Sequence, residues 1–419
     1  MRRRALVMET LDLSEGRRID ALVLPRTISA ALTSENIATL VPRPEADTYE
    51  LSNIRKVGTI VIDGTVVRIQ PKTPIRRLFA LLGYARDPAA LWRADDIEFD
   101  SDVDLYSAVA HAFARSSSSA LAGGVLRGYV VREEALPVVR GRWRVTDQIT
   151  RRAGQILPLE VVYDDYVDDI PENRALKSAA IRLLRFPNLP KSTILSLRRT
   201  LRLLDDVATL PAGSGMPGIR IDRRNVRYRG ALALARLILT DSSLEHRQGS
   251  VVGSGFLVDS WTVFEDFVGA ALGEALERRG GIATTQYRSW LDTAGRVSIA
   301  PDLIWEVDGR VAACIDLKYK IEHRGAYPNA DLYQLVAYCT RFGLDTGHLV
   351  YAAGDSEPGI VDVVDGPTIL QHALDLDAPF GDLLAQVDEL AGSIARSEHR
   401  GGSSSRIAMR APFDARVHR

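Results

Sequence analysis

The sequence predicts a multidomain α+β protein: a β-rich N-terminal domain over 1–90, a mainly helical middle region over 91–248 and a C-terminal α/β domain over 249–392. Three observations carry this reading. At 419 residues the chain exceeds what one ordinary core organises, since domains run to roughly 100–200 residues. Its apolar pattern changes from period-two runs broken by Pro, Gly and Asp-Gly, to helical spacing, to alternating helix and strand. Beyond Gly392 the composition turns to Gly, Ser and Arg, which predicts a disordered basic tail over 393–419.

Each region has its own signals. Residues 21–24, 48–51, 58–62 and 65–69 read as strands, and Asp63-Gly64 between two β-branched runs predicts a tight hairpin. Residues 75–84 form a short amphipathic helix. A helix carrying Leu105, Val109 and Phe113 follows, then a strand-like stretch over 128–145. Pro171 opens a helix to about Phe186, and 194–207 makes another. Residues 258–279 read as a long helix with Phe264, Val268 and Leu272 on one side. Two strand-like runs, 298–307 and 310–319, are joined by Asp308-Gly309.

Composition excludes several classes. Apolar content of 46% and charged content of 26% belong to a globular protein, and no run of eighteen apolar residues offers a membrane span. Cys314 and Cys339 alone supply neither a disulfide framework nor a Cys-rich zinc site, so a reducing, cytoplasmic setting is expected. A net charge of −1 argues against coating nucleic acid by bulk electrostatics. Arg220, Arg223, Arg224, Arg227 and Arg229 with Tyr228 form a local basic cluster that suits a phosphate backbone, a solvated face or a partner contact. Gly213, Gly215 and Gly218 spell G-x-G-x-x-G, but a helix precedes them and Pro217 interrupts them, so they read as a loop. No P-loop occurs, so no nucleotide is expected on this chain alone.

The chemistry concentrates on the hairpin at 298–319. Of six lysines against 47 arginines, Lys318 and Lys320 stand beside Asp316. Asp302, Asp316 and Lys318 are set into apolar strands, where charges cost several kcal/mol unless paired or metal-bound. A two-residue turn would oppose Asp302 to Ile315 and send Asp316 to the other face. A three-residue turn, Val307-Asp308-Gly309, pairs Glu306 with Arg310 instead. It sets Asp302 against Cys314 with Asp316 as diagonal neighbour, and brings Lys318 onto the same face. Two carboxylates then suit a hard cation, Mg²⁺ with Mn²⁺ as substitute, and the lysine suits a water or a developing charge. The plain alternative is an ion pair of Asp316 with Lys318 or Lys320. Gln334 and Tyr338 share one helix face at i and i+4, and Glu265, inside an apolar helix face, offers a third acid.

These residues resemble a known set. Asp302, Asp316-Leu317-Lys318 and Gln334 to Tyr338 are similar to the D, D/E-x-K and Q-x-x-x-Y motifs of RecB-like PD-(D/E)xK nucleases. The wider context resembles the McrC family of McrBC-type restriction systems: Val263-Phe264-Glu265-Asp266-Phe267 before the hairpin, and Val57-Gly58-Thr59-Ile60 with Ile69-Gln70-Pro71-Lys72 near the start. Arg140-Gly141-Arg142 and Asp169-Ile170-Pro171-Glu172-Asn173 add a middle region. The resemblance implies a C-terminal PD-(D/E)xK nuclease domain with those catalytic residues. It implies a McrB-like AAA+ GTPase hexamer as partner, contacted and stimulated through the N-terminal domain, and modified double-stranded DNA as substrate. The readings left beside it are a RecB-like repair or CRISPR-associated nuclease without that motor, and a non-catalytic motor adaptor.

Overall fold

The computed structural model describes residues 10–86, 105–185, 189–211, 216–240, 253–319, 329–352 and 359–401. Gly213, Gly215, Lys320 and the stretch 402–419 lie outside the described residues. The chain divides into two compact units, Met1–Ser260 and Trp261–Arg419.

The first unit opens with β1 (Thr10–Ser14), β2 (Ile19–Val23), α1 (Arg26–Ser34), β3 (Thr39–Pro42), β4 (Thr48–Ser52), β5 (Lys56–Ile62) and β6 (Thr65–Gln70). The strands expected from alternation are all present. Asp63 and Gly64 take positive φ, 48° and 81°, and Ile62 pairs with Thr65, the geometry of a two-residue hairpin turn. β2, β4 and β3 form a small antiparallel sheet, whose inner residues join Leu32, Ile37, Ile60 and Val67 in one core.

Next come α2 (Ile75–Arg86), α3 (Leu105–Leu121), β7 (Gly128–Leu136), β8 (Arg142–Trp143), α4 (Val145–Arg151), β9 (Leu159–Val167), α5 (Pro171–Leu184), α6 (Lys191–Leu203), α7 (Arg229–Thr240) and β10 (Gly253–Asp259). The helices expected from Leu105, Pro171 and Ile194 are found. The middle region is less helical than expected, because β9 pairs along the whole of β7 and with β8. Small residues let α3 and α6 approach, and Ser117–Thr200 and Ser118–Ser196 hydroxyl contacts at 3.3 and 2.9 Å tie them.

The helix expected over 258–279 begins at Ser260, because Val258 and Asp259 close a strand the sequence did not announce: residues 253–259 form β10, paired residue by residue with β5 in a sheet of order β1-β6-β5-β10. Gly253 and Gly255 disfavour helix, and Phe256, Leu257 and Val258 are all buried, as in a strand packed on both faces. Gly58 takes φ +129°, and a Cβ there would drive into the Phe256 carbonyl, so β10 lies where only glycine admits it.

The second unit holds α8 (Ser260–Glu277), β11 (Ile282–Thr285), β12 (Ser289–Trp290), β13 (Ser298–Ile299), β14 (Leu303–Val307), β15 (Arg310–Lys318), α9 (Asn329–Phe342), β16 (Thr346–Ala352), β17 (Ile360–Asp362), β18 (Thr368–Leu374) and α10 (Phe380–Gly401). Its sheet runs β11-β14-β15-β16-β18-β17, with β15, β16 and β18 parallel and the rest antiparallel. Side-chain alternation sends Cys314, Leu349 and Ile369 to one face, where they pack with Leu335 and Cys339 of α9. His348 and His372 face the other way. They stack with Nδ1 and Nε2 3.1 Å apart, and Ser397 of α10 approaches His348. α8 lies on that second face, Gly273 meeting Leu303, and Phe267 packs on Phe380 of α10. α10 continues past the expected start of a tail at 393, because Leu383, Val387, Leu390, Ala391 and Ile394 extend a buried helical stripe. No helix among the described residues is long and apolar enough to cross a membrane.

Candidate active site

The site forms on the central hairpin. Asp308 and Gly309, φ 51° and 74°, make a two-residue turn that pairs Val307 with Arg310, so the expected three-residue loop is not formed. The shift comes instead from a bulge: Trp305 pairs with Ala313 while Glu306 pairs with Val311, leaving Ala312 extra. Beyond it Ile304 meets Cys314 and Leu303 meets Ile315, and the same register carried one residue past the start of β14 brings Asp302 level with Asp316, whose carboxyl it influences directly. The two acids share a face as expected, but as direct opposites rather than diagonal neighbours.

Asp302 is fixed by its surroundings. Its Oδ2 accepts the Leu317 N–H at 2.8 Å, and the Gln286 amide reaches its Oδ1 at 3.5 Å. Asp316 is buried, and its Oδ2 accepts from Lys318 Nζ at 2.8 Å in a charge-assisted ion pair. Burial pushes the Asp316 carboxyl up to about 7; Lys318 pulls against this and Asp302 adds to it. Burial alone would lower the Lys318 ammonium, yet Asp316, Asp302 and Asp331 together hold it above its ordinary value.

The flanking helices contribute. Glu265, on the second turn of α8, has one buried oxygen without a hydrogen bond. Burial raises its carboxyl to about 8, Asp302 and Asp316 adding to that effect, Lys318 and a hydrogen bond from Trp261 opposing it. From α9, Gln334 Nε2 donates to Tyr338 Oη at 2.6 Å. Tyr338 is buried; burial, Asp316 and Asp302 raise its hydroxyl, while Gln334 and Lys318 lower it. Asp302, Asp316, Lys318, Glu265, Gln334 and Tyr338 are therefore brought within mutual influence. Among the described residues no three His, Cys, Asp or Glu side chains are gathered into a ready-made metal cluster. The arginine cluster belongs to the first unit. Arg220, Arg223, Arg224 and Arg227 are exposed there, Arg224 paired with Asp222 at 2.8 Å and Arg227 bonded to the Gly124 carbonyl.

Three participants escaped the sequence reading. Trp261 stands four residues before Glu265, a helical spacing that could have flagged it. Asp331 precedes Gln334 by three and shares its face. Gln286 had no signal, since its place opposite Asp302 comes from strand pairing that continues past β11.

Fold and site define a class: a multidomain α/β protein whose acid–acid–lysine centre sits on a mixed sheet between helical layers. The chain belongs to the McrBC 5-methylcytosine restriction system component family, whose model matches residues 51–352. The resemblance to McrBC-type systems read from the sequence is thus membership. A chain in the refined half-complex from the tetradecameric assembly of Thermococcus gammatolerans McrB AAA+ hexamers with bound McrC shares the fold. The TM-score is 0.57 at 17% identity, covering 92% of this chain and 100% of that one. A chain in the cryo-EM structure of the Thermococcus gammatolerans McrBC complex gives 0.41 at 19% identity, covering 64% and 88%, too slight a likeness to carry an argument. No curated protein matches the chain.

Proposed function

We propose that this chain is the DNA-cleaving subunit of a McrBC-type restriction complex, a metal-dependent endodeoxyribonuclease of the PD-(D/E)xK kind that works with a McrB-like AAA+ GTPase hexamer. Asp316 carries the reading. A purely structural carboxylate at that depth would be expected to have its charge balanced, whereas Asp316 is buried beside a second acid with the Lys318 ammonium, 2.8 Å from Oδ2, set against the two of them. That donor set fits a hard divalent cation, which commonly takes one or two carboxylates and keeps several waters. Asp302 and Asp316, with Glu265, would hold Mg²⁺, or Mn²⁺ in its place. When bound, the cation supplies Lewis-acid polarisation of the phosphate and a lowered pKa for its water. Lys318, kept protonated by its acidic neighbours, can donate hydrogen bonds to the attacking water or to a phosphate oxygen. The Tyr338 hydroxyl accepts the Gln334 amide and retains its own proton to offer to the substrate strand.

The motor belongs to the reading because this chain carries no P-loop of its own. Its first unit exposes Tyr129, Val131, Trp143 and Tyr166 on the β7-β9-β8 sheet and Ile149 and Ile156 beyond it. Apolar side chains exposed in such number suit a protein partner. We assign the motor contact, and stimulation of its GTP hydrolysis, to this surface together with residues 1–90.

The test is Mg²⁺-dependent cleavage of duplex DNA carrying 5-methylcytosine, in the presence of a McrB-like AAA+ GTPase. Asp302→Asn, Asp316→Asn and Lys318→Met should each lower cleavage by several orders of magnitude, each ~1.4 kcal/mol being tenfold. Normal cleavage by Asp316→Asn would overturn the reading. Cleavage without the motor would favour a stand-alone nuclease. Absence of Mg²⁺ and Mn²⁺ binding by calorimetry would favour a non-catalytic adaptor.

A further inference from the structure

The second unit carries an exposed apolar projection that the chemistry above does not use. Chain pairing continues beyond the site: Gln286 and Tyr287 N–H groups donate to the Asp302 and Pro301 carbonyls. Ser289 then pairs with Ile299 and Trp290 with Ser298, so β12 and β13 leave the site as a two-stranded arm. Its inner end is anchored. Ile299 is buried, Tyr287 meets Phe342 edge-on at 5.9 Å, and Arg341 Nε donates to the Trp290 carbonyl at 2.6 Å.

The outer end is a built turn rather than a loose loop. Asp292 Oδ1 accepts the N–H groups of Arg296 and Val297 at 2.8 Å each, and Leu291 N–H closes onto the Val297 carbonyl. That fixed tip nevertheless presents Trp290, Leu291 and Val297 to solvent, at 50%, 38% and 49% exposure. A held apolar tip is a mark of an interaction site.

Charge and position say what it meets. Arg288 and Arg341 are exposed beside the tip, and the acid of the turn, Asp292, is neutralised by Arg296, which leaves the arm net positive. Trp290 lies four residues beyond Gln286, whose φ of 50° bends the chain between β11 and β12, so the arm turns off directly beside the Asp302 end of the site.

We propose that the β12–β13 arm grips duplex DNA beside the cleavage site, its apolar tip set against sugars or a groove and its arginines against flanking phosphates. An apolar wedge flanked by arginine is a minor-groove device, and the arginines supply the salt-dependent part of affinity. The inference rests on the nuclease reading for its substrate but is read out separately from cleavage.

The experiment uses the full chain in the Asp316→Asn background, with its motor partner, and a fluorescein-labelled duplex as probe. Trp290→Ala and Arg288→Ala should each weaken duplex binding about tenfold. Arg288→Ala should also reduce the slope of log affinity against log salt by about one, and Trp290→Ala should leave it unchanged. In the otherwise unsubstituted chain both should raise the DNA concentration needed for half-maximal cleavage. Unaltered near-ultraviolet circular dichroism would show that the arm variants fold. Wild-type duplex affinity in both variants overturns the proposal, as does loss of motor association with DNA affinity intact. If the wild-type complex never cuts DNA, the nuclease reading fails while the binding comparison still decides the role of the arm.

Discussion

Asp316 shows at the scale of one residue how burial and charge set the chemistry available. The folded protein holds its proton more tightly than the unfolded chain does, since burial and Asp302 raise it from 3.8 to about 7. In metal-free protein its contribution to stability is therefore fully present below pH ~4 and is lost as pH rises towards 7. Thermal unfolding across this range should show that loss, and Asp316→Asn should flatten it and be at least as stable as wild type at pH 8. A strongly destabilised Asp316→Asn at pH 8 would mean that the carboxylate serves Lys318 instead. Glu265, raised to about 8, extends the same trend, and both acids must lose protons to bind a cation. Mg²⁺ binding near pH 7 should then release protons, measured by calorimetry in buffers of different ionisation enthalpy, and Glu265→Gln should release fewer. Acid acts oppositely through His348 and His372, which burial lowers to about 3 and about 4. Their neutral forms contribute fully above pH ~6.5, and that contribution is lost as pH falls towards those values. Replacing His348 and His372 by Gln should reduce the acid-side loss. These residue types were legible in the sequence as charges set in apolar strands; Gln286 and the histidine contact were not, because only three-dimensional pairing creates them.

At the scale of the element, the hairpin teaches where sequence reading of strands succeeds and fails. Asp-Gly announces a tight turn with positive φ, and period two announces that Asp316 and Lys318 share a face. Which residues oppose one another depends on a bulge at Ala312, and nothing in Val311-Ala312-Ala313 marks one of two alanines as extra. The parity of the pairing was readable and its register was not. Because the bulge lies between the turn and the site, deleting Ala312 should give an uninterrupted hairpin that still sets Asp302 against Asp316. Mg²⁺ binding should persist within a few-fold of wild type in that deletion; its loss would show that the bulge also aims the carboxylates. β10 went unread for a related reason: Phe256, Leu257 and Val258 form a short apolar run that fits helix or buried strand equally, and the partner that decides is β5, far away in sequence.

At the scale of the molecule, the two units divide between Ser260 and Trp261. A fragment of residues 260–419 should fold, bind Mg²⁺ and fail to stimulate the motor, whereas residues 1–260 should stimulate it; equal stimulation by the C-terminal fragment would count against the assignment of partner surfaces. A fragment begun at Gly253 should instead carry an orphaned strand and be prone to associate, as judged by light scattering. The composition announced more than one domain, and helix against strand spacing announced their character, but the closing of the first sheet by β10 was hidden. That closure also governs how the protein is made. Strand β5 receives its partner from roughly 200 residues further along, so its edge stays open on the ribosome until residue 259 has emerged. During synthesis the first half of the chain is thus a waiting intermediate, and translation pauses or truncations before 253 would release it with an adhesive edge.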